Sequence, residues 1–341
     1  MKAKTSGFFV LGLGLVLIAA ALVIKFVILP GQAQWPDDVD STRTYDGTLH
    51  VMLNPQALQT MDLANLFLRD VPITNSRHVT TEEVKGGEAI VREIAKMYGP
   101  GDQEIQGSDT WYAIDRKTMK AISKEEASGF NNSDKIRDRE GLVIGFPIGT
   151  AKKEYDGWSS DIQATAKVSF VREEERGGLK TYVFESSSAP KEIVDPEMLA
   201  NFPPALPKDL LVSLAQTLDL PAAMREQFTS ILPNLPDEVP LKYTYEYETT
   251  YWVEPTTGVL IDYSKHEARK VALELPGLPG PVPVTSVFEQ SYRTSAASVE
   301  DAVKDAKDAK SQLDTFGTTL PLALVVAGLV LVVVGVLVMR R

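Results

Sequence analysis

Two uninterrupted apolar runs lie near the ends of the chain. Residues 8–24 are apolar or glycine throughout, and the run resumes after Lys25 for four more residues. The second run extends over residues 320–339. Because about 20 apolar residues cross roughly 30 Å of hydrocarbon, we predict one transmembrane helix at each end. Lys25 and Trp35 are then expected near the outer membrane surface.

Between these runs, hydrophobic and polar residues alternate with a period of two, which is typical of half-buried strands. In residues 241–253 the odd positions are mostly aromatic or aliphatic, whereas Lys242, Glu246 and Glu248 occupy even positions. Residues 162–170 alternate in the same way, and shorter strands are predicted at 49–53, 110–114, 179–185, 259–263 and 284–292. The predicted fold class is α+β: a mainly antiparallel β ectodomain, either an elongated sheet or a barrel, with a helical insertion and two flanking transmembrane helices.

Residues 194–240 interrupt the alternation and form the predicted insertion. Prolines divide the segment, and residues 208–218 and 222–231 each fit a helix of about three turns. Each helix has an apolar stripe, which either packs on the sheet or lines an apolar groove for a ligand. The candidate lipid-binding residues on these stripes are Leu210, Leu214, Leu218, Met224, Phe228 and Ile231.

Two pairs of similar turns point to an internal duplication. Gly-Gly turns occur at residues 86–87 and 177–178, and polar turns that follow a tryptophan occur at 115–118 and 254–257. Two β-modules, the second carrying the insertion, account for both spacings. The alternative is that any antiparallel meander produces such turns by chance.

The predicted organisation has four parts. Residues 1–30 form a cytoplasmic tail and the first transmembrane helix, 31–297 the β-rich domain, 298–316 a solvated stalk helix, and 317–341 the second transmembrane helix and tail. Gly317 is expected to break the stalk before the membrane. Small residues permit close contact between transmembrane helices, and the candidates for this packing are Gly7, Gly14, Ala21, Gly328 and Gly335.

Charge predicts the orientation in the plasma membrane. Lys2 and Lys4 precede the first span, and Arg340 and Arg341 follow the second, so both termini are expected in the cytoplasm and the central domain outside. Residues 31–317 contain 30 basic and 46 acidic side chains, a balance of −16 that disfavours nucleic acid as a partner. A cleaved signal peptide ending near residue 33 is the alternative to a retained first span.

The sequence contains no recognisable catalytic or metal-binding motif. There is no cysteine, and the three histidines, His50, His78 and His266, are not at metal-ligand spacing. Phosphate-binding loops, nucleophile elbows and metalloprotease motifs are absent. We therefore predict no catalytic residue, no metal and no cofactor, and a protein that is not an enzyme.

The chain resembles the actinobacterial PorA family, two-span envelope proteins of largely unknown function. The resemblance is carried by the two spans and by three segments, residues 146–155 with Trp158, 178–185 and 252–258. It implies an envelope role in high-GC Gram-positive bacteria, and some relatives are linked to lipoglycan maturation. The family name implies a porin, but charged residues on the outward faces of the strands, such as Lys167 and Glu248, disfavour a transmembrane barrel.

The function predicted from these observations is that of a membrane-anchored envelope protein whose ectodomain binds or passes a lipid or lipid-linked glycan. One alternative is a scaffold that recruits membrane glycosyltransferases. A channel or porin and an enzyme of unfamiliar type are the remaining alternatives. The predicted partners are the membrane, the lipid or lipid-linked glycan, and the glycosyltransferases.

Overall fold

A long curled sheet and a pair of apolar helices make up the protein. The computed structural model describes residues 2–60, 62–217, 226, 235–274 and 281–340. In these ranges the strands are β1 Asp40–Leu53, β2 Phe67–Lys85, β3 Glu88–Tyr98, β4 Glu104–Asp115, β5 Tyr155–Ser159, β6 Ala164–Arg176, β7 Leu179–Glu192, β8 Ala205–Pro207, β9 Glu238–Pro240, β10 Lys242–Val253, β11 Leu260–Leu273 and β12 Val282–Thr294. The α-helices are α1 Lys2–Val23, α2 Leu29–Gln32, α3 Pro55–Thr60, α4 Pro196–Leu199, α5 Lys208–Thr217, α6 Ala296–Asp314 and α7 Leu320–Met339.

Ten strands form one antiparallel sheet in the order β4-β3-β2-β1-β12-β11-β10-β7-β6-β5. Strand β1 pairs with both β2 and β12, so it joins the first four strands to the last six. Strands β8 and β9 form a separate two-stranded sheet. The predicted α+β class, with a mainly antiparallel ectodomain and a helix at each end, is confirmed. The sheet is a curled half-barrel, a form between the predicted elongated sheet and the predicted barrel.

The two edge strands, β4 and β5, are connected at one end of the sheet by the chain between them. Isolated bridges pair Ile114 with Ala121, Lys120 with Leu142, and Leu142 with Gly157. These bridges link β4 to β5 at the end where β1 begins and β12 ends. Both apolar terminal helices leave the sheet there, and we call it the proximal end.

An apolar cluster fills each end of the curl. At the proximal end, Phe146, Tyr155 and Phe184 pack together with ring centroids 4.9–5.7 Å apart. At the opposite, distal end, Tyr243 stacks on Phe202, and side chains of β10–β12 and residues 193–211 complete the cluster. Inside the curl, space separates these two apolar clusters.

The apolar terminal helices are long, and each contains a π-helical turn. The first span continues from α1 through a π-helical turn, Ile24–Ile28, into α2. Helix α6 continues through a second such turn, Thr315–Thr319, into α7. The expectation that Gly317 breaks the stalk is wrong, because the turn absorbs this glycine and the helix continues beside Leu29.

One local prediction next to the spans is also corrected. Helix α6 is not a solvated stalk along its whole length: Ala302 and Ala306 are fully buried against Ile261. Trp35 packs against the proximal cluster and donates a 2.9 Å hydrogen bond from Nε1 to Thr81 Oγ1, and its place near the outer membrane surface stays a prediction.

Candidate functional site

A cavity of about 460 Å³ lies inside the curled sheet, between the proximal and distal apolar clusters. Its wall includes Gln106 and Ser108 on edge strand β4, and Trp158 and Ser159 on edge strand β5. The cavity therefore reaches the gap between the two edge strands, beyond the bridges that connect them at the proximal end. We call this gap the slot.

Strand β11 contributes three consecutive charged side chains to the cavity wall. Because side chains alternate along a strand, Lys265, Glu267 and Arg269 all lie on the same, inner face. Lys265 Nζ lies 2.8 Å from Glu267 Oε2. The guanidinium of Arg269 donates to both carboxylate oxygens of Asp161, at 2.7 and 3.1 Å. Positive and negative groups thus alternate along the wall.

Hydrogen bonds complete the coordination of the central carboxylate. Glu267 accepts from Tyr245 Oη and from Gln290 Nε2, both at 2.6 Å. Burial alone raises the pKa of Glu267, but the charges of Lys265 and Arg269, together with hydrogen bonds from Lys265 and Tyr245, hold it well below the ordinary value. Glu267 is therefore ionised throughout the physiological pH range.

A second ion pair faces the first across the curl. Arg77 of β2 pairs with Glu93 of β3, and its Nη2 donates a 3.1 Å hydrogen bond to the carbonyl oxygen of Ile144. Burial alone lowers the pKa of the Arg77 guanidinium, but Glu93 raises it above the ordinary value. Lys96, at the β3 edge of the wall, lies 2.8 Å from Glu104. Each cation on the wall thus has a carboxylate partner.

Six tyrosines line the cavity in addition to Phe146, Trp158 and Phe288: Tyr45, Tyr245, Tyr247, Tyr251, Tyr263 and Tyr292. Tyr263 packs against Tyr45, Tyr251 and Tyr292 with centroids 5.2–6.0 Å apart, which fixes the rings. Burial raises the pKa of Tyr263 and Tyr292, so both hydroxyls stay protonated.

This wall presents hydrogen-bond donors, acceptors and ring faces, and it keeps charge inside the sheet. Ions are stable in a protein interior only when they are paired or hydrated. A lipid chain that entered the cavity would remove water from Lys265, Glu267 and Arg269 without offering hydrogen bonds in return. The cavity is therefore suited to water and polar solutes.

The residues predicted to bind lipid do not line this cavity as far as the structure describes them. Leu210 is buried against Leu66 in a small separate cluster that also includes Leu53 and Leu206. Leu214 lies in the same helix, α5. Four further candidates, Leu218, Met224, Phe228 and Ile231, fall outside the described residues.

The predicted packing residues of the spans are found between α1 and α7. A Cβ atom on Gly14 would lie 2.6 Å from the carbonyl oxygen of Gly328, and one on Gly7 would lie 3.0 Å from that of Gly335. Ala21 is almost fully buried at 1% exposure. The two helices are therefore in backbone contact at the glycines, where a side chain has no room.

Sequence reasoning missed the polar residues of the cavity. The available signal was the alternation Lys265-x-Glu267-x-Arg269 within one strand, which is unusual for the inner face of a sheet. It also missed that His50 and His266 approach each other, with ring centroids 6.2 Å apart. Within the described ranges no group of three or more His, Cys, Asp or Glu side chains is arranged to hold a metal ion.

Comparison with known proteins identifies the family. A family profile described as Porin PorA matches residues 6–337, nearly the whole chain. The chain belongs to the PorA family. A relative named Porin PorA from Corynebacterium resistens is 20% identical, over 98% of this chain and 96% of the relative. Another of that name, from Corynebacterium amycolatum, is 24% identical over 79% of this chain and 75% of the relative.

Membership of the PorA family confirms the resemblance noted in the sequence and agrees with a location in the membrane or cell envelope. It overturns the prediction of an ectodomain that binds or passes a lipid or lipid-linked glycan, because both relatives are named as porins. The charged cavity gives a physical reason for this correction. The disfavoured porin alternative is the one that the family supports.

Proposed function

We propose that this PorA-family protein forms a pore through which small water-soluble molecules cross the envelope membrane. In this proposal the cavity of the curled sheet is the polar chamber through which the solutes pass. The observation that carries it is the lining of the cavity, in which Lys265, Glu267 and Arg269 are kept ionised inside the sheet. The porin name of the relatives supports the same class of function.

The strands themselves are not the part that crosses the membrane. A transmembrane barrel presents an apolar band to lipid, whereas the outer positions of β10 include Glu246, which pairs with Lys270, and exposed Glu248. The apolar helices are the membrane-crossing elements of this proposal. The sheet domain, residues 31–297, then lies on the extracytoplasmic side, with both termini in the cytoplasm, as the flanking basic residues favour.

One copy does not provide enough helices to enclose a water-filled passage. Helices α1 and α7 touch at Gly14 and Gly328, which leaves no lumen between them. We therefore propose that several copies assemble and that their helices surround the passage. Both spans are apolar, so the passage has a hydrophobic constriction of the kind that gates by dewetting.

Solutes both enter and leave the chamber through the slot between β4 and β5 in this proposal. The proximal apolar cluster, with Phe146 and Phe184 at its centre, separates the cavity from the end where the terminal helices leave. The slot residues Ser108 and Ser159 are small and polar, which favours passage of hydrated molecules at this edge. No bond is made or broken, so the function requires no catalytic residue.

The test uses the full-length chain in liposomes under a KCl gradient, with volume recovery followed by light scattering. The parent should speed recovery at least tenfold over empty liposomes. Ser108→Trp, which narrows the slot, should slow recovery severalfold. Ser187→Trp is the matched control, because Ser187 is exposed and lies outside the cavity wall.

Two outcomes would contradict the proposal in different ways. A parent that recovers no faster than empty liposomes would rule out the pore. Equal recovery by the two tryptophan variants would rule out the slot as the route while leaving the pore in place.

A further inference from the structure

The tyrosine wall of the cavity presents hydroxyl groups that the protein itself does not use. Tyr251, Tyr263 and Tyr292 line the cavity, and within the described part of the chain no hydrogen bond joins their hydroxyls to the protein. By contrast, Tyr245 donates to Glu267, and Tyr247 bonds Ser186. Three neutral donor–acceptor groups are therefore available on one wall.

Among the residues that the structure describes, the cavity wall has no unpaired charge that would favour binding of an ion. Arg77 is paired with Glu93, Lys265 with Glu267, and Arg269 with Asp161. Removing an ion from water costs a large amount of free energy, which attraction to an unpaired opposite charge in the site can offset. This wall supplies none, so a bare ion gains little by binding there.

The remaining bonding capacity suits a molecule that is neutral and rich in hydroxyl groups. Lys265 has three N–H donors and one carboxylate partner at 2.8 Å. A carboxylate offers about four lone-pair positions, so Asp161 can accept further donors besides Arg269. Hydroxyl groups donate and accept, and can therefore bond to both kinds of group at once.

Ring faces supply the other half of such a site. Tyr263 and Tyr292 have centroids 6.0 Å apart and planes inclined by 41°, and Tyr45 packs at 5.7 Å from Tyr292. The C–H faces of a cyclic polyol can pack on these rings while its hydroxyls bond to the charged row. The cavity volume of about 460 Å³ lies within the range of small-molecule pockets.

We propose that the cavity is a binding site for neutral, polyhydroxylated molecules of the size of a mono- or disaccharide, held between the tyrosine wall and the Lys265–Glu267–Arg269 row. This inference rests on the proposed function, since it names the class of solute that occupies the polar chamber.

The experiment titrates sucrose against the full-length protein in lipid nanodiscs, with saturation-transfer NMR reporting binding. Potassium gluconate is the charged probe of similar chemistry. Tyr263→Phe and Tyr292→Phe remove one hydroxyl each, and because neither hydroxyl bonds the protein, both variants should fold. Tyr182→Phe is the control, since Tyr182 packs against Phe170 outside the cavity.

We expect saturable sucrose binding by the parent, a dissociation constant at least threefold higher for Tyr263→Phe and Tyr292→Phe, and no change for Tyr182→Phe. Gluconate should bind at least fivefold more weakly than sucrose. Absence of sucrose binding by the parent, equal binding of gluconate, or unchanged binding by both cavity variants would overturn the inference.

Failure here and failure of the pore are separate results. A protein that equilibrates KCl but does not bind sucrose would contradict this inference alone. A protein that binds sucrose as expected but equilibrates no solute would contradict the proposed pore and leave the binding site standing.

Discussion

The ion pair between Asp161 and Arg269 joins the region near one edge of the sheet to a central strand. Asp161 follows β5 near one edge, whereas Arg269 lies on β11, and three strands, β10, β7 and β6, lie between β11 and β5. Asp161 and Arg269 are each only 7% exposed, and the guanidinium donates to both carboxylate oxygens. Asp161→Ala should therefore destabilise the sheet domain by leaving the guanidinium without its main partner.

The size of the stability loss depends on the contacts that Arg269 retains in the Asp161→Ala variant. Breaking a buried ion pair by removing one partner costs about 3–5 kcal/mol. Glu267 remains 3.9 Å from Arg269, and the ring of Phe288 stays 4.8 Å from the guanidinium, so we expect the lower end, about 3 kcal/mol. With roughly 2–4 °C per kcal/mol for a domain of this size, the Tm should fall by about 6–12 °C.

The assay is thermal unfolding of the full-length chain in detergent, followed by near-ultraviolet circular dichroism. Glu185→Ala is the matched control, because it removes an exposed cross-strand partner of Arg172 at 3.4 Å, and exposed pairs contribute about 0–1 kcal/mol. The double variant Asp161→Ala with Arg269→Met should recover part of the loss, since no unpaired charge remains. Equal Tm values for Asp161→Ala and Glu185→Ala would refute the reasoning.

Three further predictions concern the spans and the pH. Gly14→Leu and Gly328→Leu should each weaken the α1–α7 contact by about 1 kcal/mol or change the oligomeric state in detergent, because backbone oxygens occupy the space of the new side chains. Size-exclusion chromatography with light scattering measures the oligomeric state and thermal unfolding measures the Tm; parent-like values of both for the two variants would contradict the prediction. Single cysteines at Ser6 and Glu300 should differ in labelling of intact cells by an impermeant thiol reagent, with only position 300 reacting, and labelling at position 6 would overturn the topology. Glu267 has a depressed pKa in the fold, so its stabilisation is present above the unfolded-state value of about 4.3 and is lost as the pH falls below it; the gap in unfolding free energy between the parent and Glu267→Gln should therefore narrow from pH 7 to pH 3, and a constant gap would contradict this assignment.

Sequence patterns predicted the parts of the fold in which polarity follows burial. The spans were found because their residues are apolar without interruption, apart from Lys25. Strand β10 was found because nearly all of its inward positions are apolar or aromatic. Strand β10 covers Lys242–Val253, close to the predicted 241–253. Helix α5, Lys208–Thr217, likewise agrees with the predicted 208–218.

Strands β2 and β3 were missed because their inward positions are partly polar. Along β2, Asn75 and Arg77 face the cavity between the buried residues Ile73 and Val79, so the hydrophobic alternation is broken where the chamber lies. The same exchange of apolar for charged residues hid the cavity itself. Polar residues at inward positions remove the hydrophobic alternation on which the strand prediction depends.

Contacts between segments that are distant in the chain could not be predicted from the sequence either. The bridges through Leu142 that connect β4 to β5 join residues that no local pattern links. The proposed duplication remains a prediction, although its two polar turns are built alike. Asp115 accepts hydrogen bonds from the amide and hydroxyl of Thr118, and Glu254 does the same for Thr257.

The central claim is that the assembled protein conducts small polar solutes across a membrane. Single-channel recording in planar lipid bilayers, with the purified full-length chain in KCl, tests it most directly. We expect discrete current steps, whose open lifetime shortens when sucrose is added. Membranes that contain the inserted protein and show no steps above the protein-free background would contradict it.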